Sequence, residues 1–165
     1  MPDSQIVIPC PVCGEETPTE ICTRINGNEQ PEILAAFTRC DINRAVCPLC
    51  RHHGVVPEPV FVELGDTLAA YMPVQIPSNR KANIAKRLGE QLQSYAFSGS
   101  TRVCFGPLQL RKALPGLPWE GRTPEYCFRF DDAGTPLQRV QSLKHALIQR
   151  EDDTALLARL GEAFP

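Results

Sequence analysis

The first part of the chain contains alternating and continuous apolar runs, which is the pattern of β-strands. The runs lie on both sides of two similar short turns, and the second turn follows the first at an offset of 37 residues. Strand, turn and strand therefore occur twice, which predicts two β-hairpins that face each other. The runs occupy residues 6–8 and 19–25 around the first turn, and residues 43–46 and 55–62 around the second.

Apolar residues at helical spacing predict the helices. Between the hairpins, residues 30–40 place Pro31 at the first helical position and carry an apolar stripe of Ile33, Leu34 and Phe37. Residues 80–97 repeat apolar side chains on one face of a longer helix. Further strands are predicted at residues 68–74, 102–105 and 125–130, and further helices at residues 135–148 and 152–164.

A boundary is predicted where Pro73 and Pro77 precede Ser78-Asn79. It divides the 165-residue chain into a segment of residues 1–77 and an extension of residues 78–165, which is mixed but largely helical. The expected fold class is α+β. No apolar window reaches the roughly 18 residues of a membrane span, and we expect a cytoplasmic protein with no membrane partner.

Charge is distributed unevenly along the chain. Residues 1–77 hold 4 Lys/Arg against 10 Asp/Glu, a net charge of −6, and residues 78–165 hold 13 against 9, a net charge of +4. A site of four thiolates and one zinc ion would add −2 to the first segment. An acidic surface repels nucleic acid, so the charge favours a protein partner or self-association.

The two turns have the same sequence motif, Cys-Pro-x-Cys, at residues 10–13 and 47–50. In a reducing compartment, eight cysteines are not expected to form a disulfide framework, so the paired spacing indicates either metal binding or redox chemistry. A thioredoxin-type site needs a helix directly after the motif, yet Pro18 and Pro57 interrupt the segments that follow. Metal binding is therefore the favoured interpretation.

Four thiolates from two such turns complete the coordination of one zinc ion. Each proline sets the φ angle of its turn, and Gly14 tolerates the positive φ that often closes a zinc knuckle. The predicted ligands are Cys10, Cys13, Cys47 and Cys50, and the two hairpins become a zinc-ribbon-like module with a short inserted helix. The same four thiolates also suit iron, as in a rubredoxin-like electron carrier, and this alternative stays open.

Residues 5–77 resemble the CpXC family, which is named for its two Cys-Pro-x-Cys motifs. The resemblance is carried by Cys10-Pro11-Val12-Cys13-Gly14, Pro31-Glu32, Cys47-Pro48-Leu49-Cys50 and the predicted strands of residues 55–73. It implies a bacterial or archaeal protein whose cysteines bind metal, without naming an activity. Arg51 departs from the family pattern, which usually has glycine there. A non-glycine residue at positive φ costs about 1 kcal/mol, against the roughly 10–16 kcal/mol that a structural zinc supplies.

Several other residues have more than one interpretation. His52 and His53 are substitute ligands, hydrogen-bond donors to the metal ligands, a site for an acidic group of a partner or, as we expect, solvent-exposed turn residues beside a complete four-sulfur site. Trp119 either contacts a partner or, as we expect, packs on its own core. The remaining cysteines are expected to be small buried residues on strands, rather than a second metal site: Cys22, Cys40, Cys104 and Cys127.

A basic segment follows the predicted boundary. Seven Lys/Arg stand against Glu90 alone in residues 80–112: Arg80, Lys81, Lys86, Arg87, Arg102, Arg111 and Lys112. These residues lie outside the predicted ribbon and have no aromatic residues interleaved at contact spacing, so we expect a solvated helix face. It either docks on the acidic segment or meets an acidic partner.

The sequence therefore predicts a non-catalytic zinc-binding protein that serves as a protein-interaction or scaffold module. It shows neither a Ser/His/Asp set nor a phosphate-binding glycine loop. Two alternatives use the same region: an iron electron carrier or thiol oxidoreductase built on the same cysteines, and a zinc ribbon that binds nucleic acid.

Overall fold

The computed structural model describes residues 2–73 and 76–118. They form an α+β structure of eight strands and three helices. The elements are β1 (Ser4–Pro9), β2 (Glu16–Ile21), β3 (Arg24–Asn26), α1 (Pro31–Thr38), β4 (Arg44–Val46), β5 (His53–Val55), β6 (Val60–Leu64), β7 (Thr67–Met72), α2 (Ser78–Ser94), β8 (Ser100–Phe105) and α3 (Pro107–Ala113).

The two predicted hairpins are present. Strands β1 and β2 pair antiparallel with Ile6 opposite Thr19, and the first Cys-Pro-x-Cys turn joins them. Strands β4 and β5 pair antiparallel with Ala45 opposite Gly54, and the second turn joins them. Side chains on the inner faces of both hairpins share one apolar cluster, which includes Ile21, Leu49 and Val56 together with the four turn cysteines.

A four-stranded mixed sheet has the order β3-β6-β7-β8. Strands β6 and β7 form an antiparallel hairpin, whereas β3 pairs parallel with β6, and β8 pairs parallel with β7. Helix α2 is the crossover between the parallel strands β7 and β8. Alternate residues of the central strands point to opposite faces of the sheet, so both faces need cover.

Helices cover the two faces of this sheet. Leu88 and Leu92 of α2 pack in one cluster with Phe61, Leu68 and Ala70. On the other face, residues of α1 and α3 pack with the alternate sheet residues: Leu34, Phe37 and Leu110 contact the cluster of Val62, Ala69 and Tyr71. The result is a three-layer arrangement beside the smaller cluster of the hairpins.

Two predicted strands are each divided in the structure. The run at residues 55–62 becomes β5 and β6, which belong to different sheets, because Pro57 and Pro59 interrupt it. The run at residues 19–25 becomes β2 and β3, because the Asn43 side chain binds the backbone of Cys22 between them. The structure also adds α3, whose seven residues are too few to give a clear apolar period.

Residues on both sides of the predicted boundary at Pro77 contribute to the four-stranded sheet, since β8 pairs with β7. The predicted elements at residues 125–130, 135–148 and 152–164 lie outside the described residues. Within the described part of the chain, no helix combines the length and the apolar character that crossing a membrane requires.

Candidate metal centre

The first turn closes as a compact knuckle at the tip of β1 and β2. The backbone N–H of Cys10 donates to the carbonyl oxygen of Glu15 at 2.9 Å, and the N–H of Gly14 donates to the carbonyl oxygen of Cys10 at 2.8 Å. Gly14 has φ +72°, a conformation that glycine adopts without a Cβ clash. The glycine after the second cysteine thus lets the chain reverse into β2.

The second turn repeats these bonds position by position. The N–H of Cys47 donates to His52 O at 2.8 Å, and the N–H of Arg51 donates to Cys47 O at 3.1 Å. Arg51 has φ +63° and occupies the place of Gly14. Arg51 is therefore a non-glycine residue in the left-handed region, at the position where the first turn has glycine. The second turn still makes the same backbone hydrogen bonds as the first.

Backbone N–H groups within each knuckle donate to the sulfurs. In both turns the first sulfur accepts from the N–H of the second cysteine: Cys10 from Cys13, and Cys47 from Cys50, the latter at 3.4 Å. The second sulfur accepts from the residue two positions later: Cys13 from Glu15, and Cys50 from His52. Such donors stabilise negative charge on sulfur, which is the ligand form of cysteine.

The two knuckles bring all four predicted sulfurs together. Cys10 Sγ lies 3.5 Å from Cys50 Sγ, and Cys13 Sγ lies 3.5 Å from Cys47 Sγ. All four sulfurs lie within 4.8 Å of one another. Zinc–sulfur bonds of about 2.3 Å in a tetrahedron place sulfurs about 3.8 Å apart, so the cluster has the dimensions of a four-thiolate site.

The cluster is closed to solvent. Exposed fractions are 2% for Cys10, 6% for Cys13, 0% for Cys47 and 1% for Cys50. All four are free cysteines. A site of this kind has no open position for water, so a bound metal would have a structural rather than a hydrolytic role.

Hydrogen bonds among the sulfurs give the four thiols different pKa values. Bonds from Cys10, Cys13 and Cys50 hold the pKa of Cys47 far below the range of an ordinary thiol. The bond with Cys13 lowers the pKa of Cys10 to about 7. The pKa values of Cys13 and Cys50 are raised, chiefly by their bonds with Cys10. Four buried sulfurs cannot all be thiolates without a cation, so metal binding here would release protons.

Asn43 connects the hairpins, and it is absent from the residues predicted from the sequence. Its Oδ1 accepts a hydrogen bond from the N–H of Cys22 at 2.7 Å, and its Nδ2 donates to Cys22 O at 2.9 Å. Its own carbonyl oxygen accepts from the N–H of Val56 at 2.7 Å. Asn43 also has φ +52°, and tolerance of this conformation was the one signal that the sequence offered.

The two histidines after Cys50 have different environments. His53 is exposed, as predicted. His52 is only 7% exposed, so the prediction of an exposed turn residue is wrong for it. The backbone explains the difference, because exposure alternates along residues 52–54 as the chain enters β5, and His52 faces inward.

The other cysteines do not join the cluster. Cys22 is buried between β2 and β3, and Cys104 is buried on β8, where burial raises its pKa to about 11. Cys40 corrects the prediction of a buried strand residue: it is half-buried in the turn after α1 at φ +59°, and it is disulfide-bonded. Cys127 and Trp119 lie outside the described residues.

The basic residues of α2 are exposed, and Lys81 Nζ also lies 6.0 Å from the centre of the Phe105 ring. Arg80, Lys81, Lys86 and Arg87 are all exposed, while the apolar face of the helix packs on the sheet. None of these four forms an ion pair with another described residue. The basic helix therefore presents its charge outward, and it does not use these side chains to dock on the acidic segment within the described structure.

Comparison with protein families agrees with this geometry. The sequence model of the CpXC family, described as "CpXC protein", matches residues 8–113. The chain belongs to the CpXC family. The CpXC match contains both knuckles and extends through α2 and β8 to the last residue of α3, beyond the segment that carried the resemblance. Searches of curated proteins and of solved structures gave no significant match.

Proposed function

We propose that this CpXC protein binds one zinc ion through Cys10, Cys13, Cys47 and Cys50, and that the ion holds the two hairpins together as in a zinc ribbon. The observation that supports the proposal is the set of four buried sulfurs within 4.8 Å of one another. The duplicated backbone bonds of the knuckles support it too, because they direct two amide donors toward the sulfurs of each turn.

The role of this zinc is structural. The apolar cluster around the sulfurs is small, and its other buried members are Ile21, Ala45, Leu49 and Val56. Apparent free energies of structural zinc sites are about 10–16 kcal/mol. Burying a large apolar side chain contributes about 1.5–3 kcal/mol to folding, so the few side chains of this cluster contribute less than a zinc ion would. Removing the metal is therefore expected to unfold the hairpins.

We propose a non-catalytic protein-interaction or scaffold role for the molecule. The burial of all four sulfurs argues against a thiol oxidoreductase, whose reactive sulfur must meet its substrate. Each knuckle is also followed by a strand rather than by a helix that would activate a thiolate. The net charge of −6 on residues 1–77 favours a protein partner over nucleic acid.

Native mass spectrometry and elemental analysis of the purified full chain test the metal. We expect one zinc per chain and a colourless protein; a red protein containing ferric iron would instead support the rubredoxin-like alternative. Cys47→Ala should lose the metal. The matched control Cys104→Ala should keep it, at a cost of about 1 kcal/mol in unfolding free energy. A folded chain that carries no metal after growth with zinc would contradict the proposal.

A fluorescence-polarisation titration with random single- and double-stranded oligonucleotides tests the nucleic-acid alternative. At about 150 mM salt, we expect no binding tighter than the roughly micromolar non-specific range. Tighter binding that is lost when Arg80, Lys81, Lys86 and Arg87 are changed to Glu would favour a nucleic-acid-binding ribbon over the scaffold role.

A further inference from the structure

A groove of about 540 Å³ runs between β2, the start of α1 and the segment that leads into β4. We name it the β2–β4 groove. Its apolar lining includes Pro18, Ile33, Ile42 and Val46, and charged side chains of Glu20 and Arg44 stand beside them. Residues 18, 20, 44 and 46 are exposed and alternate along their strands with buried residues. These four lining residues therefore lie on the outer faces of the hairpins, and the inner faces carry the sulfur cluster.

Apolar surface continues from this groove onto the first hairpin. Val46 in the groove is 52% exposed, and Val7 is 59% exposed. Val7 stands opposite Pro18 in the β1–β2 register, so the two side chains share one face of the hairpin. Among the described residues, the other large hydrophobic side chain with such exposure is Leu108, on α3. Two of the three exposed large hydrophobic side chains in the described residues thus lie beside Pro18, which makes the exposed apolar surface here contiguous rather than scattered.

The strand beside the groove is poorly suited to strand addition. Pro18 lies in the middle of β2 and has no N–H, so an added strand would find no donor there. Recognition at this surface would therefore depend on side chains that fill the groove.

Charge around the groove favours a basic occupant. Glu16, Pro18 and Glu20 are exposed on one face of β2, so a carboxylate lies on each side of Pro18 along the strand. Glu20 is part of the groove lining, and Glu16 lies just outside it. The carboxylate of Asp41 is already paired with Arg39 at 2.9 Å. Arg44 is the cation in the lining, and the surrounding segment of residues 1–77 has a net charge of −6. Opposite charge on a partner would be attracted to this face.

We propose that the β2–β4 groove binds a segment of a protein partner in which one apolar side chain is flanked by Lys or Arg. The inference rests on the interaction role proposed above and assigns that role a surface. The apolar side chain would fill the space between Pro18 and Val46, and the basic residues would pair with Glu16 and Glu20.

The test uses the full chain loaded with zinc and an array of short synthetic peptides. Each peptide has a central Leu, Phe or Met flanked by Lys and Arg, and a matched peptide has Glu in place of every basic residue. We expect the basic set to bind at least about tenfold more tightly than the acidic set. Amide NMR signals of residues 19–22 and 41–46 should shift on titration with a binding peptide, and those of α2 should not.

Variants separate this surface from general effects. Val46→Asp should abolish peptide binding, and Glu20→Lys should weaken binding of the basic peptides about tenfold. Leu108→Asp and Glu90→Lys make the same changes on exposed positions of α3 and α2, and they should have no effect. Arg44→Glu should strengthen binding of the basic peptides.

Three results would overturn the inference: no peptide binds, acidic and basic peptides bind equally, or Leu108→Asp acts like Val46→Asp. A dimer that Val46→Asp dissociates would also overturn it, because a second copy would then occupy the groove. Metal content is measured on the same samples by native mass spectrometry. A chain that retains zinc but binds no peptide refutes the groove alone, whereas a chain without zinc refutes the metal site.

Discussion

Asn43 connects the two hairpins, and replacing it should destabilise the protein. The side chain is 8% exposed and makes two hydrogen bonds to the backbone of Cys22, one to its N–H and one to its carbonyl oxygen. Cys22 follows β2 directly, whereas Asn43 precedes β4, so these bonds fix the first hairpin to the second. The perturbation of choice is Asn43→Gly, because glycine accepts the φ of +52° and loses only the side-chain bonds.

The expected loss follows from the groups that remain. A buried backbone N–H or carbonyl without a partner costs about 1–3 kcal/mol, so Asn43→Gly should lower the unfolding free energy by about 2–4 kcal/mol. Asn43→Ala adds the strain of a Cβ at positive φ, about 1 kcal/mol more. Asn28→Ala is the matched control: Asn28 Oδ1 also accepts a backbone bond, from Gly65 at 3.0 Å, but on the exposed surface. Water replaces that bond, and the loss should stay below about 1 kcal/mol.

Urea unfolding of the zinc-loaded chain measures these differences, and competition with a chelator measures zinc retention. Asn43→Gly should also release zinc faster, because the knuckles are no longer held in register. Equal unfolding free energies for Asn43→Gly and the native chain, within about 0.5 kcal/mol, would refute the argument that Asn43 fixes the hairpins.

Further substitutions test the turns and close contacts. In denaturant unfolding, Gly14→Ala should lower the unfolding free energy by about 1–2 kcal/mol, whereas Arg51→Gly should leave it unchanged or raise it. A clear loss of unfolding free energy for Arg51→Gly would contradict the equivalence of the two knuckles. A Cβ on Gly27 would lie 2.8 Å from Leu34 Cδ2 and 2.9 Å from a backbone oxygen, so Gly27→Ala should cost about 1–3 kcal/mol, and an unchanged melting temperature would disprove this tight contact. Burial raises the pKa of Asp3, but hydrogen bonds from Thr23 and Arg24 outweigh burial and lower this pKa below its ordinary value of 3.8. The Asp3 carboxylate therefore stabilises the folded state above about pH 3.8, and this stabilisation is lost as the pH falls through the lower pKa of the folded state. The difference in unfolding free energy between the native chain and Asp3→Asn should shrink in that range. A difference that stays constant with pH would contradict this prediction.

The sulfur cluster could be predicted from the sequence because its information is local and duplicated. A Cys-Pro-x-Cys turn between two strands constrains both of its own sulfurs, and a second copy supplies the remaining pair. The inserted helix was predicted for the same local reason, since Pro31 and the apolar stripe of α1 lie within eight residues. The predicted ligand set and the observed cluster therefore contain the same four residues.

The parts that could not be predicted from the sequence depend on partners distant in the chain. Asn43 acts on Cys22 across 21 positions, and no local pattern marks such a pair. The parallel pairing of β3 with β6 joins segments separated by a helix and a hairpin, so the sheet order could not be inferred from apolar runs. His52 was placed wrongly because a turn histidine can face either way, and the register of the following strand decides which.

The pairing of β3 with β6 encloses the whole segment that carries α1 and the second knuckle. Pairing of β3 with β6 closes that loop, so a shorter stretch of flexible chain separates Cys47 and Cys50 from the first knuckle. The entropic cost of bringing the two knuckles together is then lower. Thermodynamic linkage then acts in both directions. An ion that binds only the closed form stabilises the sheet. A substitution that weakens β3–β6 pairing lowers the apparent affinity for the ion, by the free energy with which the ion stabilises that pairing. Metal affinity in this protein would thus report on strand pairing at a site that contains no ligand.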